Sequence, residues 1–71
     1  MPENTGNLTV NGKEYPHTPG MTVASLLADV RPGQGAVVVE VNAVIVPRER
    51  FARTPLNAGD VIEIVHFVGG G

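Results

Sequence analysis

The sequence LTVNGKEY, at residues 8–15, establishes the first element of the fold. Apolar and polar side chains alternate over residues 8–10, which is typical of a half-buried strand. Asn11 and Gly12 follow, and this dipeptide is the strongest short signal for a two-residue hairpin turn, because both turn positions need a positive φ. Residues 13–15 then return as a second strand. The chain therefore opens with a β-hairpin.

A short helix follows this hairpin. Two prolines interrupt residues 16–20, and Thr22 is of a type that caps helix N-termini well. Beyond it, apolar residues recur at the i, i+3, i+4 and i+7 spacing of one helix face. These residues are Val23, Leu26, Leu27 and Val30. Pro32-Gly33 ends the pattern. A helix of two to three turns is marginal alone, so its apolar face must pack on a sheet.

The second half of the chain predicts three more strands. Residues 36–41, AVVVEV, have a high density of β-branched side chains, and Glu40 places one face of this strand in water. Asn42-Ala43 turns the chain into a short strand at residues 44–46, which Pro47 ends. Residues 48–53 predict a single irregular or 3₁₀ turn. A turn signal at residues 57–60 then precedes the last strand, residues 61–67.

This β-β-α-β-β-β order predicts an α+β fold. One main helix packs across one mixed sheet of four to five strands, which is the β-grasp, or ubiquitin-like, arrangement. Residues 1–67 form a single domain that includes a loose leader at residues 1–6. Residues 68–71 form a flexible glycine tail.

The composition excludes several classes of function. With 71 residues, 2 Phe, 1 Tyr and no Trp, the chain supports one small, aliphatic core. It has no cysteine and therefore no disulfide, thiolate metal site or cysteine nucleophile, and its 2 histidines are too far apart to suggest a metal site. A net charge of −2 argues against nucleic-acid binding. Neither a membrane-spanning stretch nor a signal peptide is expected, which favours a cytoplasmic protein.

The last strand has two distinct faces. Ile62 and Ile64 share one face, whereas Glu63, Val65 and Phe67 share the other. A carboxylate is rarely buried without a partner, so Glu63 marks its face as the solvent side. We expect Val65 and Phe67, with Val68 beyond them, to form an exposed partner-docking patch beside the tail. The alternative is that these are ordinary surface residues, or that a loop covers Phe67.

Charged and titratable side chains elsewhere have simpler interpretations. Arg48, Arg50 and Arg53 lie within six residues and predict a solvated basic turn. The alternative is an electrostatic contact with an acidic partner, for which Arg48 is the candidate docking residue. His17 and His66 are expected to have structural or partly solvated roles.

The sequence offers no catalytic constellation. No serine or threonine has a histidine placed to activate it, and no phosphate-binding glycine loop opens a helix, so we expect a protein that is not an enzyme. The reactive group that remains is the carboxylate of Gly71, at the end of the segment Val68-Gly69-Gly70-Gly71. Glycines make this segment thin and mobile. Its four residues span at most about 14 Å when extended, enough to enter a partner's ATP site.

Three segments of the chain resemble one known family. Residues 41–49, VNAVIVPRE, residues 59–65, GDVIEIV, and residues 68–71, VGGG, are similar to segments of the thiamine-pathway sulfur carrier proteins (ThiS). Leu26-Leu27 in the predicted helix also fits. The resemblance covers nearly the whole chain from Leu8 onward.

The resemblance implies a specific function. An adenylating, ubiquitin-activating-like enzyme would activate the carboxylate of Gly71 with ATP, and a cysteine desulfurase relay would supply the sulfur that makes it a thiocarboxylate. Thiazole synthase would then receive this sulfur during thiamine biosynthesis. The carrier itself would bind no cofactor stably, because the partner enzyme uses the ATP. Gly70 and Gly71 would be the working pair, and Gly69 an incidental third glycine.

Three alternatives remain open from the sequence. The small subunit of molybdopterin synthase shares the fold, the tail and the thiocarboxylate chemistry, although the VPRE segment favours the thiamine carrier. A ubiquitin-like modifier would join Gly71 to a lysine amine on target proteins. An interaction domain with an idle tail is the third.

Overall fold

The computed structural model describes residues 6–32 and 36–67, which contain one sheet of five strands and one main helix. In chain order the elements are β1 (Asn7–Val10), β2 (Lys13–Pro16), α1 (Val23–Val30), β3 (Ala36–Val41), β4 (Val44–Val46), a 3₁₀ helix (Arg48–Arg53) and β5 (Val61–Phe67). The tail at residues 68–71 and residues 1–5 of the expected leader lie outside the described residues. Gly6 packs so closely on Ala58 that a Cβ at Gly6 would overlap the alanine side chain.

The opening hairpin forms as its sequence predicts. β1 and β2 pair antiparallel from Asn7 opposite Pro16 to Val10 opposite Lys13. Both turn residues have positive φ, 51° at Asn11 and 83° at Gly12, as a two-residue turn of this kind requires. The hairpin prediction is therefore confirmed, with one more residue in each strand.

The helix begins and ends at local signals. Thr22 and Ser25 form a capping box, in which each side chain accepts a hydrogen bond from the backbone N–H of the other, at 3.2 and 2.9 Å. The helix ends where Arg31 takes a left-handed conformation just before Pro32. Val23 and Leu26 are fully buried, whereas Val30 at the last turn is 36% exposed. The apolar stripe therefore covers the core mainly through the first half of the helix.

The last strand lies at the centre of the sheet. The strand order is β2-β1-β5-β3-β4, in which β5 runs parallel to β1 and antiparallel to β3. The sheet is therefore mixed, as expected. β5 is the central strand and ends at Phe67. The tail therefore follows a central strand and not an edge strand.

The core is aliphatic, as the composition predicts. Among the described residues, the buried hydrophobic side chains are Leu8, Val10, Val23, Leu26, Val39, Leu56, Ile62 and Ile64. Tyr15 and Phe51 are partly buried and pack against this cluster.

The segment after the 3₁₀ helix is fastened to the start of α1. Leu56 N–H donates to the carbonyl of Met21 at 3.0 Å, and Val23 N–H donates to the carbonyl of Thr54 at 3.0 Å. His17 Nε2 donates to the carbonyl oxygen of Leu56 at 2.8 Å, in line with the structural role expected of this histidine. These bonds hold Leu56 in the core, although it lies in a loop.

Candidate functional site

The outward face of β5 is open to solvent. Ile62 and Ile64 are buried, whereas Val65 is 48% and Phe67 is 53% exposed. Glu63 precedes Val65 and Phe67 on the same face of the strand and is also exposed. The two faces inferred from the strand's period of two are confirmed, and within the described residues no loop covers Phe67.

The neighbouring strand enlarges this exposed surface. Across the β3–β5 ladder, Ala36 lies opposite Phe67 and Val38 lies opposite Val65. Side chains directly opposite each other in a ladder point to the same side of the sheet, so these four residues form one apolar patch. We call Ala36, Val38, Val65 and Phe67 the outer patch. It lies at the end of β5 from which the tail continues.

A pair of carboxylates borders the outer patch. Glu40 of β3 lies directly opposite Glu63 of β5, and Ile45 of β4, which is 62% exposed, lies beyond Glu40 on the same face. Like charges directly opposite in a sheet destabilise it. Across residues 6–32 and 36–67, neither carboxylate forms an ion pair with a lysine or arginine. The outward face of the sheet thus combines an apolar end with an acidic centre.

Arg48 does not join the outer patch. It begins the 3₁₀ helix just after the edge strand β4, and β3 separates that strand from β5. Arg48, Arg50 and Arg53 are all exposed, as a solvated basic turn would be. Because side chains three apart eclipse each other in a 3₁₀ helix, Arg50 and Arg53 lie on one ridge. The structure therefore brings Val65 and Phe67 together and places the basic residues elsewhere.

The remaining predicted site residues, Val68, Gly69, Gly70 and Gly71, lie outside the described part of the chain. His66 is half-buried in β5. Within residues 6–32 and 36–67, no three histidines or acidic residues are grouped so that they could hold a metal ion. In the same ranges, no helix has the length and apolar character needed to cross a membrane.

Comparison with known proteins places this geometry in one family. The model of the ThiS family matches residues 8–71. A sulfur carrier protein ThiS from Bacillus subtilis is 43% identical over 65 residues, covering 90% of this chain and 98% of that protein. The crystal structure of the thiamine biosynthesis protein (ThiS) from Geobacter metallireducens superimposes with a TM-score of 0.72 at 39% identity, covering 92% of this chain and 99% of that one. This likeness confirms the β-grasp prediction.

Two further relatives are much longer proteins. A thiazole synthase from Paramagnetospirillum magneticum is 42% identical over 64 residues, which cover 90% of this chain but 20% of that enzyme. A thiazole synthase from Magnetococcus marinus is 36% identical over 62 residues, which cover 19% of its length. The chain thus spans about a fifth of each of these two relatives.

Proposed function

The chain belongs to the ThiS family of sulfur carrier proteins, and from this premise we propose that the carboxylate of Gly71 carries sulfur for the thiazole ring of thiamine. The observation that carries this proposal is the extent of the family match, which runs from residue 8 through residue 71 and so includes the glycine segment. The sequence motifs and the family match over residues 8–71 indicate the same family. As a carrier, the chain presents a reactive group and does not itself catalyse.

The proposed chemistry has three steps on the tail. The Gly71 carboxylate attacks the α-phosphate of ATP in an adenylating enzyme, and pyrophosphate leaves. A persulfide of a cysteine desulfurase relay then attacks the acyl carbonyl, AMP leaves, and an acyl disulfide forms. A thiol attacks the relay's sulfur in this disulfide, so that the S–S bond breaks, the thiocarboxylate leaves, and the thiol is oxidised to a new disulfide with the relay. Because the partner enzyme holds the ATP, the carrier needs no stable cofactor. We also propose that the carrier works in the cytoplasm.

Thiazole synthase is the proposed acceptor of the sulfur. Regions similar to this chain account for 20% and 19% of two proteins that are named thiazole synthase. Joining two modules in one polypeptide raises their effective concentration, which favours modules that act on each other. We therefore propose that this carrier region docks on a thiazole synthase to hand over its sulfur.

The outer patch is the proposed docking surface. Val65 and Phe67 are about half exposed and lie on the strand that continues into Val68 and the glycines. A partner that covers the patch therefore has the tail beside its contact surface. Arg48 lies away from the patch, and we assign it to a separate contact with an acidic region of a partner.

A deletion of Gly71 tests the proposal. Without Gly71 the chain still ends in two glycines, but its carboxylate lies one residue, about 3.5 Å, short of the reacting position. The adenylating enzyme should therefore release no pyrophosphate, while the circular dichroism spectrum and the melting temperature remain unchanged. G69A is the matched control, because an incidental third glycine should tolerate a methyl group and keep activation near the unmodified level. Full activation of the deleted chain would contradict the proposal, and a large loss of stability would show that the tail is structural.

A further inference from the structure

Two asparagines in hairpin turns form side-chain hydrogen bonds with the backbone of β5. Asn11 is the first residue of the turn between β1 and β2, and Asn42 is the first residue of the turn between β3 and β4. Their φ angles are nearly the same, 51° and 52°. Each accepts a hydrogen bond through its side-chain oxygen from a backbone N–H of β5. We call Asn11 and Asn42 the turn clamps.

The Asn11 clamp extends a ladder that would otherwise be short. β1 pairs with β5 only through Thr9 opposite Val61 and Val10 opposite Ile62, after which the chain turns away. The backbone N–H of Asn11 donates to the carbonyl of Ile62 at 2.9 Å. The Asn11 side chain forms two hydrogen bonds with the backbone of Ile64: Oδ1 accepts from the N–H at 2.7 Å, and Nδ2 donates to the carbonyl at 3.2 Å. The Asn11 side chain thus forms the two hydrogen bonds that the backbone of a longer β1 would form with β5.

The Asn42 clamp acts at the start of β5 and from the opposite side of the strand. Asn42 Oδ1 accepts from the N–H of Val61 at 2.9 Å, and Nδ2 donates to Asp60 Oδ1 at 3.0 Å. Its backbone N–H donates to the carbonyl of Val61 at 2.7 Å. Asn42 therefore fixes where β5 begins, whereas Asn11 fixes the strand three residues before Phe67.

The position of Ile64 matters because the tail is short. The four residues after Phe67 reach at most about 14 Å, so the path of the end of β5 sets which point Gly71 can reach. A misplacement of about 1 Å can lower a rate about a hundredfold when reacting groups must be held in line. β3 pairs with β5 as far as Phe67 on one side. The clamp at Ile64 adds support to this path from the β1 side, whereas the clamp at Val61 lies at the far end of the strand.

We propose that Asn11 is a positioning residue for the chemistry of Gly71: by holding Ile64, it sets the place from which the tail enters a partner's active site. This role rests on the proposed function. In this role Asn11 acts through its hydrogen bonds to the backbone of β5 and takes no part in the chemistry itself.

The test compares N11G with N42G as a matched pair. Glycine keeps the positive φ without strain and deletes only the side-chain hydrogen bonds, so both variants should fold with similarly lowered melting temperatures. In the adenylation assay, N11G should lower kcat about tenfold with an unchanged KM for the carrier, because the outer patch is intact but the tail is misplaced. N42G should keep both constants. Hydrogen exchange should quicken at Ile64 in N11G and at Val61 in N42G.

The outcomes separate this role from a merely structural one. Equal losses of kcat in N11G and N42G would show that kcat follows stability, and the positioning role would be wrong. An unchanged kcat in N11G, with exchange at Ile64 quickened, would also overturn it. If the unmodified chain is not adenylated at all, the proposed function itself fails, and that result is visible before either variant is made.

Discussion

Replacing Phe67 with alanine should weaken binding to thiazole synthase about tenfold while the domain stays folded. Phe67 is 53% exposed, so roughly half of its side chain already contacts water. Complete burial of a phenylalanine side chain stabilises by about 1.5–3 kcal/mol, and docking can therefore gain about half of that. A loss of about 1.4 kcal/mol in binding corresponds to a tenfold higher Kd. The other half of the Phe67 side chain is already buried in the folded domain, so F67A should lower the free energy of unfolding by about 1 kcal/mol.

Titration calorimetry with purified thiazole synthase measures this loss. V44A is the matched control: Val44 is 66% exposed, but it lies opposite Val41 on the edge strand β4, on the side of the sheet that carries the core. V44A should bind with the Kd of the unmodified chain. If F67A binds equally well and its melting temperature falls by ten degrees or more, Phe67 serves the fold, and the docking role of the outer patch is refuted.

Three substitutions test, by thermal unfolding, the energies of the helix cap, the positive φ at Ala43 and the Glu40–Glu63 pair. T22A deletes the capping box with Ser25 and should lower the free energy of unfolding by about 1 kcal/mol, a fall of roughly 4–8 °C in melting temperature for a domain of this size; an unchanged melting temperature would refute the cap's contribution. A43G relieves an alanine held at a φ of 70° and should stabilise by about 0.5 kcal/mol, after the flexibility of glycine is subtracted; a lower melting temperature would show that no strain is stored there. E63Q removes the repulsion from Glu40 and should stabilise by a few tenths of a kcal/mol in low salt, with a smaller gain in high salt; destabilisation at low salt would contradict the repulsion.

The elements of this fold are predictable where their signals are local. Asn11-Gly12 specifies its own turn, and Thr22 caps the helix that begins at the next residue. The alternation along residues 61–67 gives the correct faces of β5, since a strand's side chains point to alternate sides whatever its neighbours are. For the same reason, the exposure of Val65 and Phe67 can be inferred before the neighbouring strands are placed.

Features that depend on distant pairing escape such inference. Asn11 and Ile64 are 53 residues apart, and only the strand order brings them together. Ala36 and Val38 join the outer patch through the register of β3 against β5, which the pattern of either strand alone does not give. Leu56 is buried although it lies in a loop, because backbone hydrogen bonds fasten that loop beside the helix. A lone leucine between a proline and an asparagine carries no periodic signal.

The competing modifier and carrier roles share their first step and differ in the acceptor. Both begin with adenylation of Gly71, so a test of activation alone does not distinguish them. In the carrier role a sulfur nucleophile displaces AMP, whereas in the modifier role the amine of a lysine does. The product on the last residue therefore identifies the role directly.

Intact mass spectrometry of the 71-residue chain tests the central claim most directly. After incubation with ATP, the adenylating enzyme, a cysteine desulfurase with cysteine, and a thiol reductant, the mass should rise by the difference between one sulfur and one oxygen atom. Fragmentation should place this change on Gly71, and the chain that lacks Gly71 should show no change. Conjugates of the chain to lysine side chains, with no sulfur-for-oxygen exchange at Gly71, would contradict the sulfur carrier role.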